Sequence, residues 1–489
     1  MENKIYLQAQ RYCWALLVLI LPITSFPPVA KMIGSGTTVA APSALVLLIL
    51  VIGWLLPYLI NGGSLPQQSL PLIVFAVAAL AMTALSFFLH IPPYKENSTL
   101  RNQMEALLTL GIGISFFLLT ASWAQQEERT VFTLRLLNWS GLVMLLWCLV
   151  QAAAWYSLNR YPLWLRTIHE WYSVGPLFRQ RVSGFALEPS WLAHQLNMLY
   201  LPLWLSFSAR RYSVHKFRLL GLSFENVLLI GGALALFLTL SRVGLLAFLL
   251  MLTYLLFRAG IHLKNWFTKR ASDKWSLLAK RSSLPITALI YALLILILIA
   301  ATLGMAYGLS RFDPRMAKLF QIDLARDNAL LYYANQLTFA SRLVYWQAGW
   351  QIFSEHPWTG VGLGNAGFFM TQKISGYGWS LMEIRELVYR TPSLLNIKSL
   401  WVRLLAETGM IGFILFVSWL YVLWRCATNL NQHTYPLYRG MGLFGIFVLL
   451  GLLIEGFSVD SFAMPYAWFS LGLLTAAHER GWSFGRLEV

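Results

Sequence analysis

Five charged side chains stand where a strongly apolar chain tolerates them least: Arg181, Glu188, Arg242, Arg342 and Lys398. Each lies at the margin of an apolar run or in the loop between two runs. An ionisable group beside hydrocarbon costs free energy unless it is paired or hydrated, so each is a candidate functional residue. The set fits the binding of phosphate or diphosphate, because an arginine fork grips two oxygens at once and a lysine adds a compact charge. The single carboxylate, Glu188, is a candidate functional residue on the same ground.

Their contexts refine this. RVSGFALEPSWLAHQ holds Arg181, Glu188 and His194, and its Pro189-Ser190 predicts a helix start with proline at the first helical position. Glu188 then has a second reading, an acid favoured by a helix N-terminus, and His194 reads as a hydrogen-bonded core histidine. In LTLSRVGLL, Ser241, Arg242 and Gly244 interrupt two apolar runs. There Arg242 either snorkels to the interface or holds a phosphate bidentately. Arg342 opens SRLVYWQAGWQIF, where Leu343, Trp346, Trp350 and Phe353 recur at helical spacing. That stripe predicts an amphipathic helix lying on the membrane or on other helices. IKSLWVRLLAETGMIG carries Lys398, then Arg403 and Glu407 at a spacing that reads as a structural pair. With an unperturbed pKa of about 10.4, a lysine is assigned electrostatic work before proton transfer.

Between Arg342 and Lys398 runs EHPWTGVGLGNAG, with Gly360, Gly362, Gly364 and Gly367. Glycine at this density can cradle a phosphate, but a P-loop needs Gly-Lys-Ser/Thr opening a helix after a buried strand. A dinucleotide fold needs a βαβ unit with an acid about twenty residues on. Neither context is present, so the glycines are expected to permit a tight turn and close backbone approach after a helix ending near Pro357.

The elements that position these residues follow from composition. With 58% hydrophobic and 12% charged residues among 489, a mean hydropathy of +0.60 and 21 tryptophans, the chain is not a soluble globular protein. Apolar windows of about 17–25 residues, enough to cross some 30 Å of hydrocarbon, recur at 12–33, 39–61, 70–91, 104–125, 132–157, 190–209, 224–241, 242–258, 285–308, 400–425, 439–457 and 462–478. The first lacks a small-residue cleavage site and is expected to be retained. Cys13, Cys148 and Cys426 lie far apart and suggest neither a disulfide framework nor a metal site.

The charge of +17 serves orientation here, not nucleic acid binding. Residues 210–218 hold four Lys or Arg and no acid, and 258–281 hold seven against Asp273. The positive-inside rule places both loops and both termini in the cytoplasm, and 158–189 and 309–399 on the opposite face. The reading is an all-α polytopic membrane protein of about twelve transmembrane helices. Its divisions are 1–157 (five spans), 158–308 (an outer loop and four spans), 309–399 (one large outer loop) and 400–489 (three spans and a tail).

Three motifs, SRVGLL, HPWTGVGLGN after the helix with Arg342 and Trp346, and LLAETGMIGF, resemble the O-antigen ligase and Wzy polymerase superfamily of bacterial surface-polysaccharide glycosyltransferases. The resemblance covers roughly 180–425. It implies a GT-C-type membrane fold with a large periplasmic loop in the inner membrane. It also implies glycan transfer from undecaprenyl diphosphate without nucleotide sugar, cofactor or essential metal, and partnership with a flippase and a chain-length regulator. Where ligases carry a histidine followed by a small polar residue and two spaced glycines, this chain has Lys398, Ser399, Gly409 and Gly412. Glu188-Pro189-Ser190 resembles polymerases more than ligases. By this resemblance Lys398, Glu188 and Arg342 are the catalytic candidates, and Arg181, Arg242, Arg342 and Lys398 the diphosphate-binding set. A ligase acting on lipid A core and a polytopic transporter are the alternatives. Against the transporter, the two halves show no convincing repeat, and the polar residues gather at one face instead of mid-membrane.

Overall fold

A computed structural model describes residues 4–33, 41–274, 339–485 and, with interruptions, 292–317. The described residues are mostly helical, as the density of apolar windows leads one to expect: backbone groups in hydrocarbon must be satisfied within their own segment. Helix α1 (Lys4–Leu19) and short α2 (Pro27–Ile33) are followed by α3 (Ser43–Ile60), α4 (Gln67–Phe88), α5 (Thr99–Trp123) and α6 (Glu127–Leu158). Then come α7 (Leu163–Tyr172), α8 (189–209), α9 (Phe224–Leu238) and α10 (Arg242–Lys274). Further along the chain lie α11 (Ala340–Glu355), α12 (Ala366–Lys373), α13 (Met382–Arg390), α14 (Leu400–Leu430), α15 (Pro436–Glu455) and α16 (Pro465–Gly485).

Among the described residues seven helices are long and apolar enough to cross a membrane: α3, α4, α5, α6, Arg242–Leu263 of α10, α14 and α15. This is a polytopic all-α membrane protein. The other predicted windows resolve differently. Residues 190–209 fall in α8, and most of 462–478 in α16, which starts at Pro465. Residues 224–241 give the shorter α9, which Leu240 at φ +51° separates from α10. Of 285–308, residues 285–291 lie outside the described residues, and Ala292–Gly308 is a shorter apolar helix.

One window is corrected. Residues 12–33 are not a single helix: α1 ends at Leu19 and α2 starts at Pro27. Pro22, Pro27 and Pro28 lack the N–H a continuous helix needs, and averaging hydropathy hides that. The break is used. Thr24 Oγ1 accepts the Leu187 N–H at 2.8 Å, Pro22 O accepts from Gln195 Nε2 at 2.9 Å, and Ser25 meets Ser173 at 3.2 Å, tying down the segment that carries Glu188.

The chain divides into two compact units, Met1–Gly244 with Ala340–Val489, and Leu245–Phe339. The second contains most of α10 and the apolar helix Ala292–Gly308. In the first, α5 packs along α16, α14 against α4, α15 and α11, and α8 between α9 and α15. Buried rings add contacts of α1 with α5 and α16 and of α14 with α16: Trp14 stacks on Trp123 and Phe469 at 5.3 and 5.7 Å, and Trp419 on Trp468 at 5.4 Å. Each such pair contributes about 0.5–1.5 kcal/mol beyond burial.

The helix at Arg342 is present, but its packed face is not the aromatic stripe. Leu343 and Trp350 are exposed, and Phe353 alone of that stripe is buried. The packed face is Val344, Tyr345, Ala348, Gly349 and Ile352. A Cβ on Gly349 would stand 2.8 Å from Val402 of α14, so small residues, not large rings, set how closely these helices approach.

Candidate functional site

The glycine run plugs a break in α14. Within that helix Gly409 has φ +60° and ψ −166°, which opens the hydrogen-bond ladder. The chain after α11 fills the gap: Met410 and Ile411 N–H donate to the carbonyls of Pro357 and Trp358 at 2.8 and 3.3 Å. In return Val361 and Gly362 N–H donate to the carbonyls of Ala406 and Glu407 at 3.0 and 2.9 Å. Gly360, Gly362 and Gly364 take positive φ, and a Cβ on Gly360 would fall on the Glu407 backbone. The run is therefore a structural plug that satisfies broken-helix backbone groups. It continues to α4 and α5, where Leu363 N–H donates to Thr83 Oγ1 at 3.1 Å and Asn365 meets Ser86 and Gln103.

Beside this break, Arg403 Nε lies 2.9 Å from Glu407 Oε2, the predicted intrahelical pair. Arg403 also donates to the carbonyl of Asp460. Arg403 and Glu407 line a cavity of about 290 Å³ with Asn102, Glu105, Ser461 and Phe462; none of the five predicted residues lines it.

The turn after α15, residues 456–460, brings together two of the four predicted cations, Lys398 and Arg342. Lys398 adopts φ +58°, a left-handed conformation that costs a residue with a Cβ roughly 1–2 kcal/mol. Three contacts hold it there. Lys398 N–H donates to Asp460 Oδ2 at 3.1 Å, Leu400 N–H to Gly456 O at 2.7 Å, and Ser399 Oγ to Gly456 O at 3.2 Å. Arg342 Nη1 reaches the Ser458 hydroxyl and carbonyl at 3.2 and 3.4 Å. Among the described residues neither the Lys398 ammonium nor the Arg342 guanidinium has a carboxylate partner, whereas Arg403 is neutralised by Glu407.

The turn is rooted in a buried network. Glu455, fully buried, accepts from His194 Nδ1 at 2.7 Å and from Asn197 Nδ2 at 2.6 Å. Asn197 Nδ2 also donates to Gly244 O at 2.8 Å. One chain of bonds thus runs from the start of α10, where Arg242 sits, through α8 to the turn that holds Lys398 and Arg342. Arg181 stands at the other side of the α10 start, its Nε donating to Thr239 O at 2.8 Å. Glu188 precedes Pro189, the first residue of α8, as the Pro-Ser pattern predicts, and its carboxylate accepts the Ser190 hydroxyl. No ion pair joins it to another described residue.

A second anchor fixes Arg342 from behind. Ser341 and Tyr345 of α11 donate to Glu383 of α13 at 2.7 and 3.4 Å. Burial first, and then the Glu383 carboxylate, push the Tyr345 phenol well above its ordinary value, so it remains a donor. Among the described residues no group of three His, Cys, Asp or Glu is placed to hold a metal ion.

The structure therefore brings Lys398 and Arg342 to one turn, sets Arg181 and Arg242 at the α9–α10 junction, and leaves Glu188 at the head of α8. Sequence reasoning passed over Glu455, Ser458 and Asp460, the hub itself. A signal was present: Glu455 ends an apolar span and Asp460 follows it, which the cost of intramembrane charge marks as noteworthy.

Residues 227–417 match the family model Wzy_C, O-antigen ligase. The resemblance carried by SRVGLL, HPWTGVGLGN and LLAETGMIGF, to the O-antigen ligase and polymerase superfamily, holds over that stretch. This is a glycan-processing family of membrane proteins. A comparison with curated proteins finds no match.

Proposed function

We propose that this chain is a polysaccharide polymerase that joins undecaprenyl-diphosphate-linked oligosaccharide repeat units at the periplasmic face of the bacterial inner membrane. The observation that carries the reading is the turn 456–460: it holds Arg342 through the neutral oxygens of Ser458 and Lys398 through its backbone N–H on Asp460, and among the described residues leaves the Arg342 guanidinium and the Lys398 ammonium without a carboxylate partner. Cations held this way are preorganised for an anion that arrives with the substrate.

In the proposed inverting transfer, a sugar hydroxyl on one lipid-linked unit attacks the anomeric carbon of the chain on a second carrier. The new glycosidic C–O bond forms as the bond to diphosphate breaks, and undecaprenyl diphosphate leaves with the electron pair. Lys398 and Arg342, with Arg242 and Arg181 from the α9–α10 junction, neutralise the charge that develops on the leaving group. Glu188 accepts the hydroxyl proton. The bilayer holds the polyprenyl tails, both termini are cytoplasmic, and a flippase and a chain-length regulator supply and limit the reaction.

The test is reconstitution with lipid-linked repeat units. The purified protein is expected to build a glycan ladder, and Lys398→Ala and Arg342→Ala each to slow it about 100–1000-fold while the protein stays folded. A ladder of unchanged rate in both variants would overturn the reading. The match to a family described as O-antigen ligase favours a second reading, transfer of glycan to lipid A core. Offering that acceptor beside lipid-linked repeats separates the two by which product forms. Movement of lipid-linked glycan across the bilayer with no new glycosidic bond would mark a transporter instead.

A further inference from the structure

A second cationic site stands apart from the turn 456–460. α6 ends at Leu158, and Asn159 at φ +50° turns the chain sharply through Arg160 and Pro162 into α7. The return segment 175–180 folds back against this corner. Tyr161 donates to Phe178 O at 2.7 Å, Tyr156 to Gln180 O at 3.2 Å, and His169 Nε2 meets Gly175 O at 2.9 Å. These cross-links frame an open cup of about 760 Å³ whose rim carries Arg160, Arg166 and Arg179 against one acid, Glu170. Among the described residues none of the three arginines has a hydrogen-bond or ion-pair partner.

The helix beside the cup has three distinct faces. Leu165, His169 and Tyr172 are buried, and Arg166 and Glu170 form a charged edge. Leu163, Trp164 and Trp171, on a third side, are 80%, 52% and 69% exposed. An apolar, tryptophan-bearing face immediately after a helix long enough to span a bilayer belongs at the water–membrane boundary, where indole rings settle. Three clustered arginines at that level meet phosphate groups carried by lipids.

We propose that this cup binds a lipid-borne phosphate, with Arg160, Arg166 and Arg179 contacting the anion and the Leu163–Trp164–Trp171 face lying on acyl chains. Charge complementarity and the adjoining apolar face select a lipid headgroup over a free anion: a soluble phosphate makes no use of the exposed indoles. The lipid is either an anionic phospholipid of the bilayer or a polyprenyl diphosphate, which share this chemistry. None of the residues proposed for transfer lines the cup, so it can be tested without any transfer reaction.

The experiment uses the purified full-length protein in detergent and a fluorescent phosphatidylglycerol. The protein is expected to bind the probe, and the triple variant Arg160→Gln, Arg166→Gln, Arg179→Gln to bind it at least about tenfold more weakly, the loss of one charge-assisted bond or more. Because all three arginines are exposed, the variant's melting temperature should not change. Trp164→Ser with Trp171→Ser should weaken the phosphatidylglycerol probe but not soluble glycerol phosphate. Equal binding by wild type and triple variant, or equal displacement by phosphatidylcholine, would overturn the proposal. So would displacement by inorganic phosphate at the concentration at which phosphatidylglycerol itself displaces. Displacement by undecaprenyl diphosphate at lower concentration than by phosphatidylglycerol supports the site with the polyprenyl carrier as its ligand, and the reverse order supports it with a bilayer lipid.

Discussion

At the break in α14, Arg403 lies 2.9 Å from Glu407, a carboxylate only 3% exposed; at the turn after α15, Arg342 meets the Ser458 hydroxyl and carbonyl, and Lys398 is held by its backbone N–H on the Asp460 carboxylate. Both regions bury polar groups in an apolar protein, and both depend on irregular backbone, at Gly409 and at Lys398. They differ in what is left over. The break consumes its charge in building itself. The turn positions charge and keeps it available, because it holds Lys398 by its backbone N–H and Arg342 through the neutral oxygens of Ser458. A buried ion pair offsets its desolvation mainly within itself, so it offers little to a ligand; a cation held by neutral groups awaits one.

The sharpest way to break this contrast is to remove half of the pair. Arg403→Ala strands the Glu407 carboxylate, and losing one partner of a buried pair costs about 3–5 kcal/mol. Thermal melting of the purified protein should fall steeply, with little folded protein recovered. Arg403→Gln combined with Glu407→Gln replaces the charges by a neutral hydrogen-bonding pair and should recover most of that loss. If the double variant were as damaged as the single one, Arg403 would have a role beyond pairing.

At the turn the expected effect moves from stability to rate. Lys398→Ala and Arg342→Ala should leave melting nearly unchanged, yet lower transfer from lipid-linked repeats about 100–1000-fold each, as removing one preorganised electrostatic group does. Glu188→Gln is expected to act on the rate alone, because its carboxylate has no ion-pair partner among the described residues and little folding energy depends on its charge. A fall in melting temperature matching the fall in rate, for any of the three, would erase the distinction between the two regions.

Smaller and mixed in kind is Asp460→Ala. The Asp460 carboxylate accepts the Lys398 N–H and thereby supports a left-handed residue. Its loss should release roughly 1–2 kcal/mol of conformational preference toward the ordinary region, move the ammonium and lower both melting and rate modestly. Asp460→Asn keeps an acceptor oxygen and should restore both; measuring the two variants side by side separates positioning from charge.

Much of this was readable in the chain. The price of charge near hydrocarbon picked out Arg342 and Lys398, and the missing Gly-Lys-Ser correctly turned the glycine run from ligand cradle to backbone device. What it plugs was not readable, because the bonds between 357–362 and 406–411 join segments whose adjacency only tertiary packing decides. The same holds for Glu455, whose partners His194 and Asn197 lie 261 and 258 positions earlier. On α11 the helix and its period were readable, but not which side packs on protein: close helix approach selected Ala348 and Gly349, while Leu343 and Trp350 stay exposed. In residues 12–33 an averaged apolarity outweighed three prolines.

The smallest effect extends the comparison to the corner after α6, where the scaffold is held by a neutral group instead of an ion pair. The His169 ring bridges the Tyr172 hydroxyl and Gly175 O, both at 2.9 Å, and so ties α7 to the return segment. Burial lowers the His169 pKa, against weaker opposite pulls from the Gly175 carbonyl and from Glu170. A lowered pKa in the folded protein means the unfolded chain binds the proton more readily. The stability His169 contributes is therefore fully present above its unfolded value of about 6.5 and is lost as pH falls through the folded value. Melting followed from about pH 7.5 to pH 5 should decline on the acid side, and His169→Gln, which cannot gain that charge, should flatten the decline while lowering the neutral-pH value slightly. An acid-side slope that survives the substitution would assign the titration to another group and leave the corner, like the turn after α15, indifferent to the charge state of its supports.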